Sequence, residues 1–369
     1  MPSPGQPAAG AWAPPPKPGL IPLRPLEFGV ILAAPYQALR RNPRPTFGTG
    51  LVLQSAIVFL TLLVAGLVAW ATLSRVDFAS TSADTESIIA GSIGAIALAA
   101  LVPAALAVPA TAIMQGLIVL EIARQTVGER LRLPRLWALA TGRIWALVGY
   151  SVAFGAAWFV AIGLIVVVVA VLSVTGTAGV VIGILLAIVL SLALLAAGFW
   201  LTTKLAFVPS AIMLERLPIT RAIARSWTLT RGSFWKILGT MLLVSVILGF
   251  ASSLVSTPIQ VITGIAGSLF APTGDQTALI VIVVISYLVL LIAVLVVSAI
   301  SLVVQSATTV LLYIDQRIRK EGLDLDLARY VEQRDAGTSP VDPFESVRPA
   351  ASAPPAPPAT PAASAPPWV

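Results

Sequence analysis

The chain has 369 residues, 57% of them hydrophobic and 11% charged, with a formal net charge of +7. Soluble domains carry about 25% charged residues, so this chain lacks the polar surface that water requires and has the composition of an integral membrane protein. Histidine and cysteine are both absent, which excludes disulfides, thiolate nucleophiles, Ser-His-Asp chemistry and His- or Cys-ligated metal sites.

Residues 1–25 are rich in Pro, Ala and Gly and bury too little apolar area to offset their ordering entropy, so they read as a disordered tail. They lack the basic start and apolar core of a signal peptide. From Glu27 to Arg41, apolar residues at Phe28, Ile31, Leu32, Pro35 and Leu39 oppose Gln37, Arg40 and Arg41. That spacing suits an amphipathic helix, lying in the membrane interface or packed on the protein's own surface. Pro35 offers a kink.

Residues 51–73 carry no charge and are long enough to cross a hydrocarbon core of about 30 Å. A second span is predicted over 88–120, with Pro103 and Pro109 inside it. Residues 144–203 form a 60-residue uncharged run, which as one helix would be roughly 90 Å long. It must fold back, and the turn residues T-G-T-A-G at Thr175–Gly179 divide it into spans at 144–174 and 180–203.

The basic, aromatic stretch Glu215–Lys236 follows. Thr220 is placed to cap a helix, with Ile223 and Trp227 on one face and Arg221 and Arg225 on another. Gly232 ends the pattern ahead of Phe234 and Trp235. The last two spans are predicted at 237–271, bent or interrupted near Pro258, and at 278–314. A short charged helix then begins at Asp315, and residues 335–369 read as a second disordered tail.

With six spans and both ends on one side, the stretches Lys17–Arg44, Arg124–Arg143, Lys204–Lys236 and Arg317–Arg348 hold 22 of the 23 Lys and Arg. Only Arg75 lies on the other side. The positive-inside rule then puts both termini in the cytoplasm of a multi-pass plasma-membrane protein.

The apolar hairpins end in similar phrases: I-V-L-E-I-A-R-Q, A-I-M-L-E-R-L-P and V-L-L-Y-I-D-Q-R. They set Glu121, Glu215 and Asp315 at the inner boundary. Basic phrases aligned on Asn42, Gly142 and Gly232 introduce each hairpin. The predicted fold is therefore all-α: six transmembrane helices with interfacial amphipathic helices, in three repeats of one unit within residues 26–334.

G-L-I-P-L-R-P-L, A-L-R-R-N-P, R-S-W-T-L-T-R-G-S-F-W and L-L-Y-I-D-Q-R-I-R-K-E-G-L-D-L-D-L resemble the glycerophosphoryl diester phosphodiesterase membrane domain family, over roughly residues 19–327. Members often carry acidic residues in the first amphipathic helix, where this chain has Val30 and Ala33. The resemblance implies a multi-span bacterial membrane protein. The soluble phosphodiesterase domain of that name uses histidines and acidic metal ligands in a separate α/β barrel, so this chain resembles the membrane partner domain alone.

Three function classes follow. The first is a non-enzymatic scaffold or partner module for envelope or lipid-related machinery, with Arg221, Arg225, Arg231, Trp227 and Trp235 as candidates to touch anionic lipid; their simpler reading, which the sequence favours, is ordinary topology signals and interfacial anchors. Its partners are membrane lipids and a membrane or envelope protein, not nucleic acid. The second is a lipid or small-molecule carrier or flippase, with Gln54, Gln115, Gln260 and Gln305 lining a pathway. No span carries a central charge, which argues against proton coupling, and the favoured reading of Glu121, Glu215 and Asp315 is an ion pair with a nearby Arg such as Arg124 or Arg317. The third is an enzyme using carboxylates with Arg or Lys. Asp324 and Asp326 are the nearest candidates, and a solvated helix face accounts for them; no catalytic residue, metal or cofactor is expected.

Overall fold

The structure, a computed structural model, describes residues 19–22, 24–43, 47–74, 82–270, 276–338 and 342–345. Among these the chain is all-helical: α1 (Phe28–Arg41), α2 (Thr49–Leu73), α3 (Ser82–Thr126), α4 (Leu133–Ala140), α5 (Ile144–Ser173), α6 (Thr177–Leu205), α7 (Val208–Leu214), α8 (Ile219–Thr230), α9 (Phe234–Phe270), α10 (Gln276–Glu321) and α11 (Leu323–Asp335). Six of these segments are long and apolar enough to cross a membrane. The protein is an all-α integral membrane protein.

The long helices pair as hairpins, α2 with α3, α5 with α6 and α9 with α10, and a short helix precedes each pair. Most side chains of α5 and α6 face outward, as lipid permits, because hydrocarbon is as good a solvent for Leu and Val as a protein interior. The turn between these two falls at Val174–Gly176, where Gly176 adopts φ +96°, a conformation that side chains disfavour.

The packed core lies at the end where the hairpins begin and finish, called here the basic end. There the close of α3 (Leu117, Ile118, Ile122), all of α7 and the last turns of α10 (Val310, Leu311, Tyr313, Ile314) come together. Burying each such side chain contributes about 1.5–3 kcal/mol where the alternative is water. These are the three similar phrases of the sequence, and they form the centre of the fold.

The short helices cover this core. α1 lies against α10, burying Ile31, Ala34, Pro35 and Ala38 while Phe28 stays exposed. Of its two expected settings, packing on the protein's own surface describes the buried face. The helix runs through Pro35, as α3 does through Pro103 and Pro109 and α9 through Pro258, so of the bend or interruption expected near Pro258 the interruption does not occur.

Several other boundaries differ from the sequence reading. α10 continues past residue 314 to Glu321, and Gly322, at φ +70°, separates it from α11. The charged residues from Asp315 thus complete a long helix, because apolar packing continues through Ile318. α7 was not anticipated. Its Pro209 occupies the first turn, which lacks intrahelical N–H partners in any helix, and the chain breaks from α6 just before it.

Thr220 is not a cap: α8 starts at Ile219 behind Pro218. The face α8 buries is Ala222, Ser226, Leu229 and Thr230. Small residues permit close approach, and the Ser226 hydroxyl accepts from the Phe207 N–H at 3.2 Å and donates to the Lys204 carbonyl at 2.7 Å.

Most of the two tails expected at 1–25 and 335–369 is outside the described residues, and two short segments of them pack on the core. Residues 1–18 and 346–369 lie outside the described residues, but Leu20 and Ile21 are fully buried, and the Leu20 N–H donates to the Gln125 carbonyl at 2.8 Å. Gly19 lies so close that a Cβ there would sit 2.3 Å from that carbonyl oxygen; only glycine fits. Beyond α11, Asp342–Glu345 fold back onto the basic end, with Phe344 1% exposed. A Pro-rich composition hid two apolar anchors that the core receives.

Candidate functional site

The three boundary acids are buried, each in a different setting. Glu121 accepts from the Asn42 amide at 2.7 Å and the Gln125 amide at 2.9 Å. Its second oxygen and the Gln125 carbonyl oxygen are buried without a partner among the described residues. The expected Glu121–Arg124 pair does not form; Arg124 turns to Glu129 and Asp342 instead. Glu121 is engaged by the Asn42 and Gln125 amides, and Arg124 has two other carboxylates in reach.

Glu215 is the most heavily engaged. Its oxygens meet Arg225 Nε at 3.0 and 3.1 Å, Arg317 Nη1 at 3.7 Å and the donating Tyr313 hydroxyl. Arg225 and Arg317 continue to Glu321 at 2.6 and 3.0 Å. Burial works against the Arg225 charge, and Glu321 and Glu215 more than offset it, holding the guanidinium above its usual range. Asp315 accepts from Lys236 at 3.0 Å, Arg319 at 2.9 Å and the Leu26 N–H at 2.9 Å, tying the start of the chain to the end of α10.

Arg225 is thus committed inward, away from the lipid contact expected for it. Arg221 and Arg231 stay exposed. Trp227 stands edge-on to Trp200 at 5.3 Å, with the Lys204 ammonium 5.2 Å from its ring centre, and Trp235 is 80% exposed. Lys320 donates to the Leu229 and Arg231 carbonyls at 2.7 and 2.8 Å, fastening the end of α8 to α10. These groups make an aromatic and basic rim where α6, α8 and α9 meet.

A second constellation escaped the sequence reading. One arginine follows each boundary acid, namely Arg124, Arg216 and Arg317, and all three converge on Asp342–Glu345. Arg124 pairs with Asp342, Arg216 pairs with Glu345, and Arg317 donates to the Phe344 carbonyl at 3.3 Å. Arg143, at the start of α5, reaches Glu345 at 3.4 Å and donates to the Met213 carbonyl. Burial and the neighbouring Arg216 charge pull the Arg143 guanidinium below its usual range, opposed by Glu345 and Asp342. The available signal was the arginine one to three residues after each acid. Its counterpart was the tail's D-P-F-E, which holds the only acids after Asp335.

Within the bundle, α3, α5, α9 and α10 surround a cavity of about 360 Å³. Gln115, Gln305, Ser151 and Ser245 line it with Thr111 and Thr309. Of the four glutamines expected on a pathway, Gln115 and Gln305 lie there, and Gln54 and Gln260 do not. The lining holds no ionisable side chain. Among the described residues no group of three or more acidic side chains is placed to hold a metal ion.

Residues 177–325 match the family described as the membrane domain of glycerophosphoryl diester phosphodiesterase. The matched segment covers less than half of the chain. It runs from the start of α6 to the start of α11 and contains Glu215, Asp315, the aromatic rim and two of the three converging arginines. The resemblance read over residues 19–327 is thereby matched over its later part, and the match is to the membrane domain rather than the catalytic domain. No curated protein and no solved structure matches the chain.

Proposed function

We propose that the protein is a non-enzymatic plasma-membrane module, a scaffold or partner in envelope or lipid-related processes. Its basic end and both termini face the cytoplasm, and its rim grips anionic headgroups. The observation that carries this reading is the rim of Arg221, Arg231 and Lys204 with Trp227 and Trp235, standing outside the basic end where the spans leave the core. Amphipathic rings prefer the level of the headgroups, and each basic group near an anionic surface contributes about 1 kcal/mol.

A carrier for a neutral or lipid-like molecule is the second reading, favoured by the uncharged polar cavity behind Gln115 and Gln305. Native mass spectrometry of the protein released gently from its own membrane separates the two. The Arg221→Ala/Arg231→Ala variant is expected to hold a co-purifying anionic lipid roughly 30-fold more weakly, from about 2 kcal/mol lost. A lipid kept by that variant but lost from Gln115→Leu/Gln305→Leu belongs to the cavity and to the carrier. Retention unchanged in both variants would sink the lipid reading, and a co-purifying protein unaffected by either would leave a scaffold.

A further inference from the structure

Arg124, Arg216 and Arg317 come from three sequence-distant phrases, yet each meets the same four residues of the tail. The contact has the features of a recognition site rather than of incidental tail packing. Two carboxylates three residues apart meet two separate groups of guanidinium donors, and the aromatic ring between them is inserted almost completely. Arg216 adopts φ +55°, a left-handed backbone that a non-glycine residue rarely takes and that clusters at binding sites. Arg143 and Arg216 share Glu345 as their anion, and the Glu345 and Asp342 charges oppose the effect of Arg216 on Arg143.

We propose that the basic end carries an exchangeable peptide site for an acid–x–Phe–acid segment, which the chain's own Asp342–Glu345 fills in cis. The ligand class follows from the geometry. A phosphate or headgroup could answer the arginines, but it would leave the Phe344 pocket empty. The contact spans only four residues, so its intrinsic affinity is weak. The tether compensates, because the segment follows closely after α11, and closeness along the chain gives an effective concentration on the order of millimolar. A segment of the same chemistry at a comparable concentration therefore displaces the tail, and the site becomes a docking point governed by its resident competitor. This inference stands apart from the lipid reading, since the rim residues take no part in it.

The absence of cysteine allows a single label. Full-length protein carrying Ser346→Cys, modified with a nitroxide and held in nanodiscs, is expected to show an immobilised spectrum. Adding the peptide that spans residues 338–350 at millimolar concentration should convert the spectrum to a mobile one. The same peptide with Phe344→Ala should be at least tenfold less effective. Placing Phe344→Ala or Asp342→Arg in the labelled chain should also free the label, and combining Asp342→Arg with Arg124→Asp should immobilise it again. A label as mobile in the otherwise unaltered chain as in Phe344→Ala would overturn the proposal. So would an immobilised label that saturating peptide leaves unmoved. Immobilisation that weakens on dilution of the protein would place the segment on a second copy and contradict occupancy in cis.

Discussion

Glu215→Ala is expected to lower the apparent melting temperature of the detergent-solubilised protein by about 6–12 °C. The Glu215 side chain is fully buried and is the shared anion of Arg225, Arg317 and the Tyr313 hydroxyl. Arg317 is 3% exposed, so water cannot replace the lost carboxylate. Removing one partner of a buried ion pair costs about 3–5 kcal/mol, because the partner stays behind uncompensated. In a protein of this size each kcal/mol moves the midpoint by about 2 °C or slightly more. Tyr313 adds to the loss: its ring packs edge-on against buried Phe207 at 5.8 Å, and its hydroxyl would lose its acceptor. Glu215→Gln keeps an acceptor for that hydroxyl and should fall between the two. A thermal unfolding series that separates neither variant from the unaltered protein would show that water, rather than Glu215, satisfies the network.

Asp315→Ala is expected to cost less, about 2–3 kcal/mol, although the same side chain is also fully buried. The difference lies in its partners. Lys236 is 38% exposed and Arg319 41%, so both can rehydrate. The uncompensated group is the buried Leu26 N–H, and a backbone donor stranded without an acceptor costs about 1–3 kcal/mol. This variant should therefore loosen the start of the chain specifically. Hydrogen exchange should accelerate at Leu20 and Leu26 while the Glu215 network stays protected. Asp315→Asn, which keeps an acceptor for Leu26, should restore most of that protection. Equal acceleration throughout the core would mean that Asp315 supports the whole basic end rather than the N-terminal segment.

Much of this architecture was legible in the sequence because it follows from solvent alone. The uncharged runs, the turn at Gly176 and the recurrence of an acid at each inner boundary are one-dimensional signals, and the structure places those acids at its centre. Their partners were not legible. Asn42 reaches Glu121 across 79 residues and Leu26 reaches Asp315 across 289, and nearness in sequence pointed instead to Arg124. The buried face of α8 was not legible for a related reason: apolarity groups Ile223 with Trp227, whereas the face that packs inward carries the small residues Ala222 and Ser226. The anchors inside the tails were not legible because composition averages over a window, and two or three residues such as Leu20, Ile21 and Phe344 vanish in that average. The converging arginines were hidden by their ordinary role as topology signals. A guanidinium that fixes orientation during insertion can also hold a ligand afterwards.

The orientation of the basic end underlies both the proposed lipid contact and the proposed peptide site, and the missing cysteines make it directly measurable. Single cysteines at Thr175, in the turn between α5 and α6, and at Thr141, beside the start of α5, lie at opposite ends of one helix. Both positions are exposed. With a membrane-impermeant maleimide on intact cells, Thr175→Cys should label at once, and Thr141→Cys only after permeabilisation. Labelling of Thr141→Cys on intact cells, with Thr175→Cys protected, would put the arginines outside and contradict a cytoplasmic basic end.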